Sequence, residues 1–231
     1  MANEWLWLIF ALTNFVLLIG MYKLFGKMGI FVWVGIATIL ANIQVIKSVE
    51  LFGYIATLGN IMYGTIFLGT DALNEIYGKK SAKKAVYMGF YVMIASLILM
   101  QLSILFQPSA SDTGQGALVT IFQFWFWVVL GSMTAFIVSQ LLDVTLFQWI
   151  KSKLPGNRWL WLRNNGSTMI SQAIDTIIFV SIGLSSFYIF QDLVEIALTT
   201  YVIKVIVAAL DTPFLYLMKR IKPLELFEEK G

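Results

Sequence analysis

Residues 117–150 read ALVTIFQFWFWVVLGSMTAFIVSQLLDVTLFQWI, a stretch of 34 residues whose only charge is Asp143. A helix needs about 20 mostly apolar residues to cross a hydrocarbon core of about 30 Å. This stretch can span, and the acid inside it calls for a reason. Working outward, further apolar runs occupy 5–22, 29–47, 51–70, 85–106, 167–190 and 193–218. Breaks at Gly26–Lys27, Gly78–Lys84, 107–116 and Lys151–Arg163 separate them. Hydrophobic residues make up 59% of the chain and charged ones 13%, where soluble domains hold about 45–50% and about 25%. A soluble fold of 231 residues would expose large apolar patches. The expected fold is all-α: a polytopic membrane bundle of about seven transmembrane helices, one domain over 1–231.

The chain contains no cysteine and no histidine. Disulfides, thiolate nucleophiles, Cys-ligated zinc and iron–sulfur clusters are excluded, as are haem histidine, HExxH chemistry and Ser–His dyads. No cofactor is expected. The net charge of +3 does not point to nucleic acid, because the bases sit in short connections between apolar runs, as topology signals do.

Those bases alternate. Fourteen of the 16 Lys and Arg residues lie in four connections: Lys23 and Lys27; Lys79, Lys80, Lys83 and Lys84; Lys151, Lys153, Arg158 and Arg163; Lys219, Arg220, Lys222 and Lys230. The connections between carry Asp112, Asp192 and Glu195 and no base. The positive-inside rule then places the N-terminus outside and the C-terminus in the cytoplasm. Glu4 stands where a cleaved signal would carry a basic start, so the first run reads as a retained span. Trp5, Trp7, Trp125, Trp127, Trp149, Trp159 and Trp161 fall near run ends and read as interfacial anchors.

Charges inside spans are the informative residues, since each costs at least about 2.5–3.5 kcal/mol at mid-membrane and normally faces a partner or a cavity. Asp71, Asp143, Asp175, Asp211 and Lys204 are of this kind. At 1.5 Å per residue the run edges put the four acids in one layer, about 10–12 Å above the basic face, with Lys204 about 10 Å further out. Four ionised carboxylates cannot share a dry layer, so some must be paired, protonated or hydrated. The string Ser139-Gln140-x-x-Asp143-x-x-x-Phe147 recurs as Ser171-Gln172-x-x-Asp175-x-x-x-Phe179. Helical periodicity puts Ser, Gln, Asp and Phe of each copy on one face, so consecutive antiparallel helices could bring the faces together. Asp175-Thr176 is echoed by Asp211-Thr212-Pro213. Such groups suit a planar polar ligand, an ion, or hydrogen bonding between helices. A second polar set, Asn42, Gln44, Lys47 and Glu50, ends the second run, where Ala37-x-x-x-Ala41 offers a small-residue contact.

The strings Ala41-Asn42-x-Gln44-x-x-Lys47 and Gly69-Thr70-Asp71-Ala72-x-Asn74-Glu75-x-Tyr77-Gly78-Lys79-Lys80-x-Ala82 resemble the opening of the queuosine precursor transporters, also called the vitamin uptake transporter family. The paired Ser-Gln-x-x-Asp motifs and Lys204…Asp211-Thr212-Pro213-Phe214 complete the resemblance, which covers roughly 29–220. It implies import of 7-cyano- or 7-aminomethyl-7-deazaguanine. It also implies a six-helix core over 29–220, similar to the substrate-binding components of energy-coupling-factor transporters. Residues 1–28 would then be an added N-terminal helix and 221–231 a cytoplasmic tail. The implied substrate-binding set is Asn42, Gln44, Lys47, Asp71, Glu75, Gln140, Asp143, Gln172, Asp175, Lys204 and Asp211. A guanine-like face offers donors at N1 and the 2-amino group, which a carboxylate accepts, and an O6 that Asn, Gln or Lys serves.

The expected setting is the inner (plasma) membrane, with the small-molecule deazaguanine and the bilayer as partners and a homodimer as an open option. The alternatives are a capture subunit for a vitamin or purine that needs a separate ATPase module, and an intramembrane aspartyl enzyme. No GxxxxGK[ST] loop and no GxGD signature occurs in the chain, and an enzyme is not expected.

Overall fold

The computed structural model describes residues 3–122, 126–186 and 188–224. Helix α1, Asn3–Gln44, is interrupted at Gly26 (φ 55°, ψ −136°), a backbone conformation open essentially to glycine. The chain folds back there. Asn3 Nδ2 donates to the Glu50 carbonyl at 3.1 Å and the Phe52 N–H donates to Glu4 Oε1 at 3.2 Å. The start of α1 and the segment after its end therefore share one face of the bundle, and 3–25 and 27–44 are separate passages.

The third run departs from expectation. Its first residues form an antiparallel hairpin, β1 (Ser48–Leu51) and β2 (Tyr54–Thr57), and helix α2 runs from Gly59 to Tyr77. Among the described residues five helices are long and apolar enough to cross a membrane on their own, and α2 is not one of them. Its composition reflects its position. Sixteen of its 19 residues are buried, because helices on several sides surround it. A helix that meets protein on all sides can carry Asp71, Asn74 and Glu75 without offering them to lipid.

Helices α3 (Lys79–Ile104), α4 (Gln115–Phe122), α5 (Phe126–Lys153), α6 (Leu160–Phe179) and α7 (Phe190–Arg220) complete the chain. With α1 counted twice and the short α4 set aside, seven passages result. Helix α6 starts seven residues before the expected edge and continues as a π-turn, Val180–Leu184. That turn meets α5 backbone to backbone: a Cβ on Gly131 would lie 2.7 Å from the Gly183 nitrogen. A Cβ on Gly59 would lie 2.7 Å from the Ala41 carbonyl oxygen, so the start of α2 approaches the end of α1 closely at Ala41.

The four basic connections gather on one face. Leu224 N–H donates to the Lys23 carbonyl at 2.7 Å, Lys27 sits 5.4 Å from the Tyr77 ring centroid, and Lys151, Arg163 and Lys219 all reach Glu75. Trp5, Trp149 and Trp161 are exposed, whereas Trp7 is buried in the core rather than presented as an anchor. Trp125, the Trp127 side chain and the tail from residue 225 lie outside the described residues.

Candidate functional site

The repeated motif meets itself. Ser139 on α5 donates to Asp175 Oδ1 on α6, and Ser171 on α6 donates to Asp143 Oδ1 on α5, both at 3.0 Å. Each copy thus serves the carboxylate of the other, as two antiparallel helices with identical polar faces allow. All four residues are buried.

The buried charges occupy two levels, not the single expected layer. Counted from the basic ends of their helices at 1.5 Å per residue, Asp71, Asp143 and Asp211 lie about 9, 15 and 13 Å deep, and Asp175 and Lys204 about 22 and 24 Å deep. The early start of α6 accounts for the difference, since it moves Asp175 up to the level of Lys204. The two form an ion pair, Lys204 Nζ to Asp175 Oδ2, at 2.5 Å. Lys204 also approaches Thr176 Oγ1 at 3.5 Å and lies 5.5 Å from the Tyr63 ring centroid.

At the lower level the Asp71 and Asp143 carboxyls converge on the Thr168 hydroxyl, and Asp211 comes from α7 at a similar depth. Their partners are neutral. The single Thr168 O–H is shared between Asp71 Oδ2 at 3.4 Å and Asp143 Oδ1 at 3.3 Å, and Asn164 Nδ2 donates to Asp211 Oδ1 at 2.6 Å. Gln140 Oε1 accepts from Thr70 at 3.3 Å. Several polar atoms around this level are buried without a hydrogen-bond partner: Asp71 Oδ1, Asp143 Oδ2, Asn164 Oδ1, Gln140 Nε2 and Gln172 Oε1. Buried groups left unpaired cost about 1–3 kcal/mol each, so these atoms call for partners that the protein itself does not supply. Among the described residues no group of three acids has the geometry of a metal site.

Glu75 stands apart from this level. Its carboxylate pairs with Lys219 at 2.5 Å, Arg163 at 3.0 Å and Lys151 at 3.1 Å. Lys151 also donates to the Glu75 carbonyl at 2.7 Å, and Arg163 Nη1 to the Leu154 carbonyl at 2.7 Å. One carboxylate on α2 thereby ties α5, α6 and α7 together at the basic face. Asn42, Gln44 and Lys47 are not gathered with the acids either. Asn42 Nδ2 donates to Thr38 within its own helix at 2.8 Å, Lys47 is exposed beside the hairpin, and Gln44 Oε1 is buried without a partner.

Sequence reasoning missed Asn164, Thr168, Tyr63 and Thr70, which carry no charge to stand out in an apolar run. It also read Arg163 as a topology signal, although that side chain is fully buried.

A bundle that buries carboxylates, a lysine and unpaired amides between its helices defines a membrane protein that handles polar solutes. The chain belongs to the family described as "Putative vitamin uptake transporter", which matches residues 57–218. It is 48% identical over 223 residues to the "Probable queuosine precursor transporter" of Bacillus subtilis (strain 168), covering 96% of this chain and 97% of that protein. It is 32% identical over 133 residues to the protein of the same name from Haemophilus influenzae (strain ATCC 51907 / DSM 11121 / KW20 / Rd), covering 57% and 53%. No solved structure gives a significant match. The protein is a polytopic membrane transporter.

Proposed function

We propose that this transporter imports 7-deazaguanine precursors of queuosine, the 7-cyano or 7-aminomethyl form, and that it is not an enzyme. The observation that carries the reading is the set of unpaired buried groups between α2, α5 and α6. Gln140 Nε2 is a buried donor without an acceptor and Gln172 Oε1 a buried acceptor without a donor, beside the Asp71 and Asp143 carboxyls that converge on Thr168. A guanine-like edge presents the complement: N1–H and a 2-amino group to a carboxylate, and O6 to an amide. The name of the near-full-length relative points to the same substrate class.

Asp71, Asp143, Asp211, Gln140 and Gln172 form the proposed binding level, with the Asp175–Lys204 pair and Tyr63 above it. Asn42, Gln44 and Lys47 would line the approach at the hairpin end, and Glu75 would close the basic end. Residues 29–220 constitute the proposed transporter core, with 1–28 as an added helix. The basic face is cytoplasmic in this reading, the N-terminus is outside, the membrane is the plasma membrane, and a homodimer is compatible with the exposed apolar surfaces. Purified protein in liposomes, challenged with a panel of purines, 7-deazaguanines and vitamins, tests the proposal. Saturable uptake confined to the deazaguanines is expected; binding of a vitamin alone, or no uptake without an added ATPase, would overturn it.

A further inference from the structure

Helix α3 packs through one face only: among its residues Ser81, Ala82, Ala85, Val86, Gly89 and Met93 are buried. The rest of its basic half forms a shallow, wide-open groove whose lining, Lys80, Lys83, Lys84, Tyr87, Met88 and Tyr91, comes from α3 alone. Their spacing of i, i+3, i+4, i+7, i+8 and i+11 makes one stripe along the helix. Three ammonium groups stand at its outer end, and Tyr87, Met88 and Tyr91, all exposed, continue it about 16 Å into the membrane. Val92 flanks the stripe and packs toward Gly35 of α1.

A fourth cation comes from α1. Lys27 lies 5.8 Å and Lys84 5.9 Å from the ring centroid of the same residue, Phe31. Like charges from two helices are thus drawn to one ring, and aromatic faces offset little of their repulsion. Among the described residues no Asp or Glu pairs with Lys27, Lys80, Lys83 or Lys84; the four ion pairs belong to Glu75 and Asp175. The charge at the mouth of the groove therefore lacks an anion, while its length is apolar. A solvated lysine face would explain the charges alone, but not their continuation into an open apolar groove inside the membrane.

The geometry points to a binding site for one anionic phospholipid, its phosphodiester headgroup held by Lys80, Lys83, Lys84 and Lys27 and an acyl chain lying along Tyr87, Met88 and Tyr91. Basic pockets between transmembrane helices recognise such headgroups. The site lies outside the transport machinery and does not depend on the identity of the substrate.

Native mass spectrometry of the purified full chain, with phosphatidylglycerol and phosphatidylcholine of matched acyl chains as probes, tests the site. Wild type should retain phosphatidylglycerol at least tenfold better than phosphatidylcholine. The triple variant Lys80→Gln, Lys83→Gln, Lys84→Gln should lose that preference while eluting as a monodisperse species. The variant Lys153→Gln, Arg158→Gln, Lys222→Gln removes equal charge from exposed positions elsewhere on the same face and should keep it. Equal retention of the two lipids by wild type, an unchanged preference in the groove variant, or loss of preference in both variants would overturn the proposal. So would a second copy of the chain protecting the groove from lipid, seen as a dimer that the groove variant dissociates.

Discussion

Ser139 donates to Asp175 across the α5–α6 interface at the same 3.0 Å at which Ser171 donates to Asp143. The exchange makes the two motif copies one structural unit, in which neither carboxylate depends on its own helix alone. Each also keeps another partner, Lys204 for Asp175 and Thr168 for Asp143.

Because the two contacts are equivalent, Ser139→Ala and Ser171→Ala should destabilise the protein similarly. A hydrogen bond to a charged group contributes about 1.5–3 kcal/mol, and the retained partners place the expected loss toward the lower end. Thermal unfolding of the purified variants measures it. A neutral Ser139→Ala beside a strongly destabilised Ser171→Ala would show that the symmetry is only geometric.

Asp143→Asn separates binding from scaffolding. An amide oxygen can still accept from Ser171 and Thr168, so the protein should be produced in normal amounts. A site that needs an anionic acceptor for guanine donors should nonetheless lose affinity or uptake at least about tenfold, equivalent to about 1.4 kcal/mol. Wild-type uptake in this variant would remove Asp143 from the binding level.

Glu75 is a different test, of the basic-face lock. Removing one member of a buried ion pair costs about 3–5 kcal/mol because the other charge is left uncompensated. Glu75→Gln strands the fully buried Arg163 and should approach that cost. Lys219, with a third of its side chain exposed, is solvated in the alternative, so Lys219→Gln should cost no more than about 1 kcal/mol. Equal melting temperatures for the two variants would contradict the lock.

The alternation of bases was legible because topology signals act locally, and the structure gathers all four basic connections on one face. Which face is cytoplasmic is a matter for reporters. A fusion after Lys230 that signals only in the cytoplasm should be active, and one before Met1 silent. The reverse result would invert the orientation.

Helical periodicity made the Ser-Gln-x-x-Asp faces readable, and their meeting required only that neighbouring helices run antiparallel. Depth was not readable to the same degree. The expected edge of the sixth run stood at Ser167, after a break at Lys151–Arg163, yet α6 begins at Leu160. Those seven residues are about 10 Å of helix, enough to assign Asp175 to the wrong level and to separate it from Lys204. The hairpin at 48–57 was hidden for a related reason: its apolar residues pass for a span when hydropathy is read alone. The three cations around Glu75, which the resemblance placed in the binding set, were not legible because they come from 76 to 144 residues away in the sequence, a separation at which spacing carries no information.

The pairing of Lys204 with Asp175 also changes what substitution at Lys204 should do. Both side chains are nearly buried, and the 2.5 Å contact is the one ion pair at the deeper level among the described residues. Lys204→Met alone leaves the Asp175 carboxylate with Ser139 as its hydrogen-bond donor, and should lower stability by about 3–5 kcal/mol. Asp175→Asn alone strands the ammonium group and should cost a similar amount. Combining the two removes both charges, and replacing a buried pair with neutral groups is often without net cost. The double variant should therefore recover most of the lost melting temperature, giving a coupling energy of at least about 2 kcal/mol, within the range neighbouring residues show. Transport separates the remaining roles. If the pair only holds α6 against α7, the double variant transports as wild type does. If the lysine and the carboxylate face the solute, restored stability leaves uptake at least tenfold down, and this second outcome is the one expected. Additive losses of stability in the cycle would show instead that the ion pair does not hold in the membrane.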